Sequence, residues 1–231
     1  MEKNIVVGAS LHTGSAGLSG ANATEAWRTT PPVLRAGGVV LREVDASDAP
    51  RLWSLLRAPE VTRFISPPPG TVDGFERFIA ASQRLRAAGQ GACFAVTLEG
   101  SSSAVGIFQV RHTPSALASE HQFGDATGTG EWGFAIGAPY WGAGVFRRGA
   151  PLLINFAFEE LGLRRLEARA AASNGRGAGA LRTVGAVPAA ILRNALICDE
   201  GCVDQVLYTI LASEWQMRQS ETRTGSVAWV H

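Results

Sequence analysis

Gly130-Glu131-Trp132-Gly133-Phe134-Ala135-Ile136, followed by Pro139-Tyr140-Trp141-Gly142-Ala143-Gly144-Val145-Phe146-Arg147-Arg148, is the stretch that decides how this chain is read. Its first half is a short apolar, aromatic-rich run, the composition of a strand. Pro139 ends the run, and Gly142 and Gly144 let the backbone turn sharply and bring N–H groups close to a ligand. Leu152, Leu153, Phe156, Ala157 and Leu161 then recur at helical spacing, with Gly162 as the stop. Pro151 falls inside that pattern, where it removes a hydrogen bond unless it lies in the first turn. A helix start behind a glycine turn offers free donors and a positive dipole end, so a phosphate or pyrophosphate is its natural occupant. Gly-x-Gly alone is equally the mark of a plain tight turn. The segment lacks the Gly-Lys-Ser/Thr of a nucleoside-triphosphate loop and the third glycine of a dinucleotide fingerprint.

Working outward, Arg165 to Ala171 reads as another strand, and Asn174 to Val184 as a short helix stopped by Gly185. Ile191 to Ile197 and Val203 to Leu211 flank Asp199-Glu200-Gly201 as a hairpin. Upstream, Val39 to Val44 is a strand. Ser47 or Asp48 caps a helix that tolerates Pro50 in its first turn. Pro67-Pro68-Pro69-Gly70 breaks the chain, and Thr71 caps a second helix with Phe75, Phe78, Ile79 and Leu85 on one face. Cys93 to Leu98 and Ala104 to Val110 form a hairpin, and residues 112 to 129 a long polar loop. The order is β, two helices, a β hairpin, βαβα, then a second hairpin. That is an α+β fold with a mixed sheet, parallel only where helices cross over. Residues 1–36 read as a flexible leader, 37–213 as one domain and 214–231 as a tail without clear structure. A truncated chain spanning 33–213 is expected to stay folded.

The 231 residues are 46% hydrophobic and 18% charged, a globular composition. A net charge of +1 argues against a nucleic-acid partner. Lys3 is the only lysine; Arg, the better bidentate phosphate partner, supplies the other cations. No stretch approaches the ~20 apolar residues of a membrane span, and the expected location is the cytoplasm. Cys93, Cys198 and Cys202 are an odd set consistent with a reducing compartment. No second Cys/His pair accompanies Cys198 and Cys202, so no metal site is expected.

With this turn after its fourth strand, the element order resembles the GNAT acetyltransferases, most closely their RimJ/RimL-like branch, which acts on ribosomal-protein N-termini. The resemblance covers about residues 37 to 213. It is carried by the pattern from Gly130 to Gly144, by Phe156 to Arg169, by Asn174 after a strand, and by Val184-Gly185-Ala186 closing a short helix. It implies a mixed, mostly antiparallel central sheet with helices on both faces and a splayed parallel strand pair. It also implies acetyl-CoA as cosubstrate. Backbone groups of Phe134, Ala135 and Ile136 would pair with the pantetheine arm like an added strand. The N–H groups of Gly142, Ala143, Gly144, Val145, Phe146 and Arg147 would hold the pyrophosphate, and Asn174 would contact the arm. The chain departs from the pattern at Phe146 (usually Gly or Ala), Arg148 (often Glu), Pro151 and Leu181, which replaces the usual Tyr general acid.

An amine attacks a thioester only when neutral, so a carboxylate that takes its proton, directly or through water, is needed near pH 7. Glu131 stands where the family often has such a base. Glu43 and Glu167 read as structural ion pairs. No cysteine is placed for a covalent relay. The sequence therefore reads as an acetyl-CoA-dependent N-acetyltransferase acting by direct transfer in a ternary complex. The acceptor is a small molecule or a protein N-terminus, and the chain is a monomer or homodimer. The alternative is a non-catalytic acyl-CoA-binding module, favoured by Phe146 and Leu181.

Overall fold

The computed structural model describes residues 26–113, 128–198 and 201–224. Most of the expected leader, residues 114–127 of the long loop, Asp199-Glu200 and the last seven residues lie outside this set. Eight strands form one sheet: β1 (Leu34–Ala36), β2 (Val39–Glu43), β3 (Gly91–Leu98), β4 (Gly106–His112), β5 (Thr129–Ile136), β6 (Arg165–Ala171), β7 (Val187–Cys198) and β8 (Gly201–Leu211). Their order is β1-β2-β3-β4-β5-β6-β8-β7. All neighbours are antiparallel except β5 and β6. A helix joins that pair, which is the connection a parallel pair requires. The mixed, mostly antiparallel sheet expected from sequence is therefore present.

Helices α1 (Ala26–Thr29), α2 (Ala49–Leu56), α3 (Pro59–Thr62), α4 (Val72–Ala87), α5 (Val145–Glu159), α6 (Gly175–Thr183) and α7 (Ala212–Thr224) accompany it. They cover both faces, because successive strand residues point to opposite sides. On β3, Cys93 takes a hydrogen bond with Ser82 of α4. Its neighbour Phe94 packs edge-on to Phe156 of α5, centroids 5.1 Å apart. Thr71 caps α4 by accepting from the Gly74 N–H at 3.0 Å. Phe75 and Ile79 are buried, but Leu85 is 40% exposed. Ten residues at ~100° each leave Leu85 about 80° off the Phe75 stripe, and Ser82 takes the buried place. Asp48, one of the two expected caps, stands at the N-cap position of α2 with Pro50 in the first turn, but its side chain makes no capping bond to that helix. The side-chain cap is Asp45, which accepts from the Ser47 N–H in a 3₁₀ turn ahead of α2. Arg42 then grips Asp48 with two bonds of 2.6 and 2.8 Å, fixing α2 to β2.

Packing extends beyond residues 37–213 on both sides. Trp27 of α1 is 5% exposed and meets Phe156 edge-on at 5.9 Å. Leu34 to Ala36 pair with β2. At the other end, Trp215 of α7 is 7% exposed and donates to Asn155 Oδ1 at 2.6 Å. The sequence hides these contacts because one turn of helix carries no periodicity and α7 is polar apart from its anchor. A chain cut to residues 33–213 loses both tryptophans. It should melt roughly 10 °C or more below the full chain, since removing a buried Trp costs about 3–5 kcal/mol. Equal melting temperatures in a thermal scan would show that neither anchor contributes.

Candidate functional site

The site is a fork. Thr129, Gly130 and Glu131 pair with Arg165, Leu166 and Glu167; beyond them β5 pairs only with β4 and β6 only with β8. The Thr113 N–H donates to the Thr129 carbonyl, and the Gly137 N–H to Val105. Antiparallel pairing alternates along a strand. The backbone groups of Glu131, Gly133 and Ala135 therefore face β4, and those of Trp132, Phe134 and Ile136 face the fork. This corrects one expectation: Ala135 spends its backbone groups inside the sheet and cannot offer them to a ligand. Part of Ile136 is also taken, because Trp141 Nε1 donates to its carbonyl at 2.8 Å. Of the residues expected to hold the arm, Phe134 keeps its N–H and C=O toward the fork and Ile136 its N–H.

At the fork's mouth, Gly142 (φ 78°) and Gly144 (φ 75°) adopt the left-handed conformation that glycine alone takes freely. Gly144 is the N-cap of α5 and, lacking a side chain, caps nothing. The Arg148 N–H makes the bond back to the Gly144 carbonyl. The N–H groups of Val145, Phe146 and Arg147 precede it and have no partner within the helix. A Cβ at Gly142 would meet nothing within 4 Å, so this side of the loop is open. Arg148 folds back along the loop. Its Nη2 donates to the Ala143 carbonyl at 2.5 Å, and its stem lies against Gly37 of the β1–β2 turn. Phe146 is accommodated in an aromatic cluster: its ring lies 4.4 Å from Phe134 at a tilt of 51° and stacks on Trp132, with Phe108 alongside. Pro151 stands beyond the first turn of α5, so the Arg147 carbonyl has no donor four residues on. Arg176, in the first turn of α6, lies 4.2 Å above the Trp141 ring.

On the opposite face of the sheet the fork carries charge. Glu131 is 8% exposed. Its Oε2 accepts from Arg111 Nη2 at 2.7 Å, while Oε1 is buried without a hydrogen-bond partner. Arg169 Nε lies 3.8 Å from that Oε1 and is also buried without a hydrogen-bond partner. Glu167 pairs with Arg165 at 2.9 Å and Glu43 with Arg86 at 2.5 Å. Arg111 and Arg169 escape a reading of the sequence. Alternation along β4 and β6 puts them on the Glu131 face, but only once the register is known.

Asn174 is buried, and its Oδ1 accepts from the Gly177 N–H at 2.8 Å, capping α6. Leu181 is fully buried and carries no proton to donate. Burial pushes the Cys93 thiol up to about 12, only partly offset by the hydrogen bond with Ser82, so it stays protonated and unreactive. Cys202 lies exposed on the hairpin. Among the described residues, no group of three or more His, Cys, Asp or Glu is gathered to hold a metal, and no helix is long and apolar enough to cross a membrane.

A splayed parallel pair whose first arm runs into a glycine loop and a helix start is an α+β acyltransferase-like arrangement, and the family match falls on it. The chain belongs to the acetyltransferase (GNAT) domain family, which matches residues 39–187. It is thus an N-acetyltransferase with an acyl-CoA cosubstrate. Among solved structures it is similar to the ribosomal-protein-S5-alanine acetyltransferase of Vibrio fischeri (16% identity, TM-score 0.68, 80% of this chain and 98% of that one). It is also similar to Mycobacterium smegmatis RimJ in complex with CoA-disulfide (19%, 0.67, 83% and 91%). A third is a GCN5-related N-acetyltransferase from Brucella melitensis (19%, 0.64, 83% and 84%). No curated protein matches the chain significantly by sequence.

Proposed function

We propose that this chain transfers the acetyl group of acetyl-CoA to a primary amine by direct attack within a ternary complex. The observation that supports it most is the fork, where β5 and β6 part after Glu131 and Glu167 beside the loop of Gly142 and Gly144. The residues present fit the ligand. Phe134 and the Ile136 N–H would align the pantetheine arm as an added strand. The N–H groups of Val145, Phe146 and Arg147 would receive the pyrophosphate, with the Arg148 guanidinium beside them. Acetyl-CoA supplies an activated acyl group. Glu131 Oε1 would take the amine proton, directly or through one water, since Oε2 is committed to Arg111. Asn174 would reach the arm through its amide nitrogen, its oxygen already accepting the Gly177 N–H as the cap of α6. A small molecule or a protein N-terminus would serve as acceptor.

Acetyl-CoA at 100 times its dissociation constant should stabilise the chain by about 2.7 kcal/mol, a rise of roughly 5–10 °C in melting temperature. A flat response at millimolar ligand would remove the reading. Release of the CoA thiol with any amine separates an enzyme from a module that only binds.

A further inference from the structure

Among the described residues, the fork's charged face carries three arginines, Arg111, Arg165 and Arg169, and two carboxylates, Glu131 and Glu167. Each carboxylate already has a short partner: Arg111 at 2.7 Å for Glu131 and Arg165 at 2.9 Å for Glu167. Arg169 is the remainder. Its side chain is 24% exposed, its Nε makes no hydrogen bond, and the Glu131 Oε1 facing it stays 3.8 Å away. A largely buried guanidinium that shares the Glu131 charge with Arg111 and makes no hydrogen bond through Nε is costly, and the cost falls when an anion arrives.

Its place in the fold says which molecule could bring that anion. Arg169 lies two residues past Glu167, the last β6 residue paired with β5, so it stands on the diverging arm of the fork. It shares a face with Glu131, the proposed proton acceptor. An unfilled acceptor and an unfilled donor, 3.8 Å apart, match a molecule with an ammonium and a carboxylate close together. We infer that the acceptor is a small amino acid, its amine directed to Glu131 Oε1 and its carboxylate held by Arg169. A protein N-terminus has an amide in place of that carboxylate and would leave Arg169 uncompensated. The inference rests on the acetyl-transfer reading and narrows its acceptor.

The test uses matched acceptors: free α-amino acids and the corresponding amino-acid amides, with CoA release as readout. The full-length chain should favour acids over amides by roughly tenfold or more in kcat/KM, as expected for a charge-assisted contact, with KM carrying the difference. Arg169→Gln should abolish the preference by raising KM for the acids, and Arg169→Lys should restore part of it. The acetyl-CoA thermal shift, measured on each variant, reports whether fold and cosubstrate slot survive. Amides used as well as acids by the wild type, or a preference that persists in Arg169→Gln, overturns the inference. A wild-type chain with no thermal shift would instead sink the acetyl-transfer reading beneath it.

Discussion

Glu131→Gln lowers the acetylation rate by roughly 10²-fold or more, the usual contribution of a positioned base. Glutamine keeps the size and still accepts from Arg111 through its oxygen, but it cannot take a proton from the acceptor. The effect should appear in kcat, and acetyl-CoA affinity should persist, because none of the groups assigned to the cosubstrate belongs to Glu131. The acidic limb of the pH–rate profile should vanish, since it reports deprotonation of the base. Stability should fall as well, because the buried ion pair between Arg111 and Glu131 is lost. That second effect gives the discriminating control. A Glu131 that merely ties β4 to β5 predicts a lower melting temperature with an unchanged rate per folded molecule and an unchanged profile. Wild-type kinetics in a folded variant would assign the proton to another group.

Gly144→Val should weaken CoA binding by roughly 10- to 100-fold. The φ of 75° at this position is strained for any residue with a Cβ and most for a β-branched one, at about 1–3 kcal/mol. The new Cβ would also stand 3.2 Å from Arg148 Nη1, pressing on the guanidinium that braces the loop. The loop can relieve both only by changing shape, and the N–H groups at the start of α5 then lose their aim. Gly142→Ala is the milder companion: it has the backbone strain, with a φ of 78°, but open space around its Cβ. Calorimetric titration of CoA should rank wild type above Gly142→Ala above Gly144→Val. Wild-type affinity in Gly144→Val would place the pyrophosphate elsewhere.

Legibility follows the strength of local pattern. The helices starting at Thr71 and Gly144 are readable because each has a cap or glycine ahead of a periodic apolar face. The strands around Phe94, Phe108 and Phe134 are readable as short apolar runs between turn residues. Leu85 is misplaced by its spacing because spacing approximates an angle, and ten residues accumulate the error. Trp27 and Trp215 are missed because each is a lone anchor in a polar setting, and a single aromatic has no period. Ala135 falls in the cofactor slot on sequence alone because the backbone pairing phase of a strand is invisible without its partner's register.

The sequence by itself determined the class of fold and the glycine turn before α5, because those depend on patterns within short segments, and the family resemblance singled out Glu131. Only the tertiary structure decided that Phe134 and not Ala135 opens toward the fork, that Asn174 Oδ1 is spent on a cap, and that Arg111 and Arg169 converge on Glu131 from strands 20 and 38 positions away along the chain. The physical reason is that charge pairing and backbone direction across a sheet are properties of register. Register is set by hydrogen bonds between distant segments, and a one-residue slip would send every one of these groups to the other side.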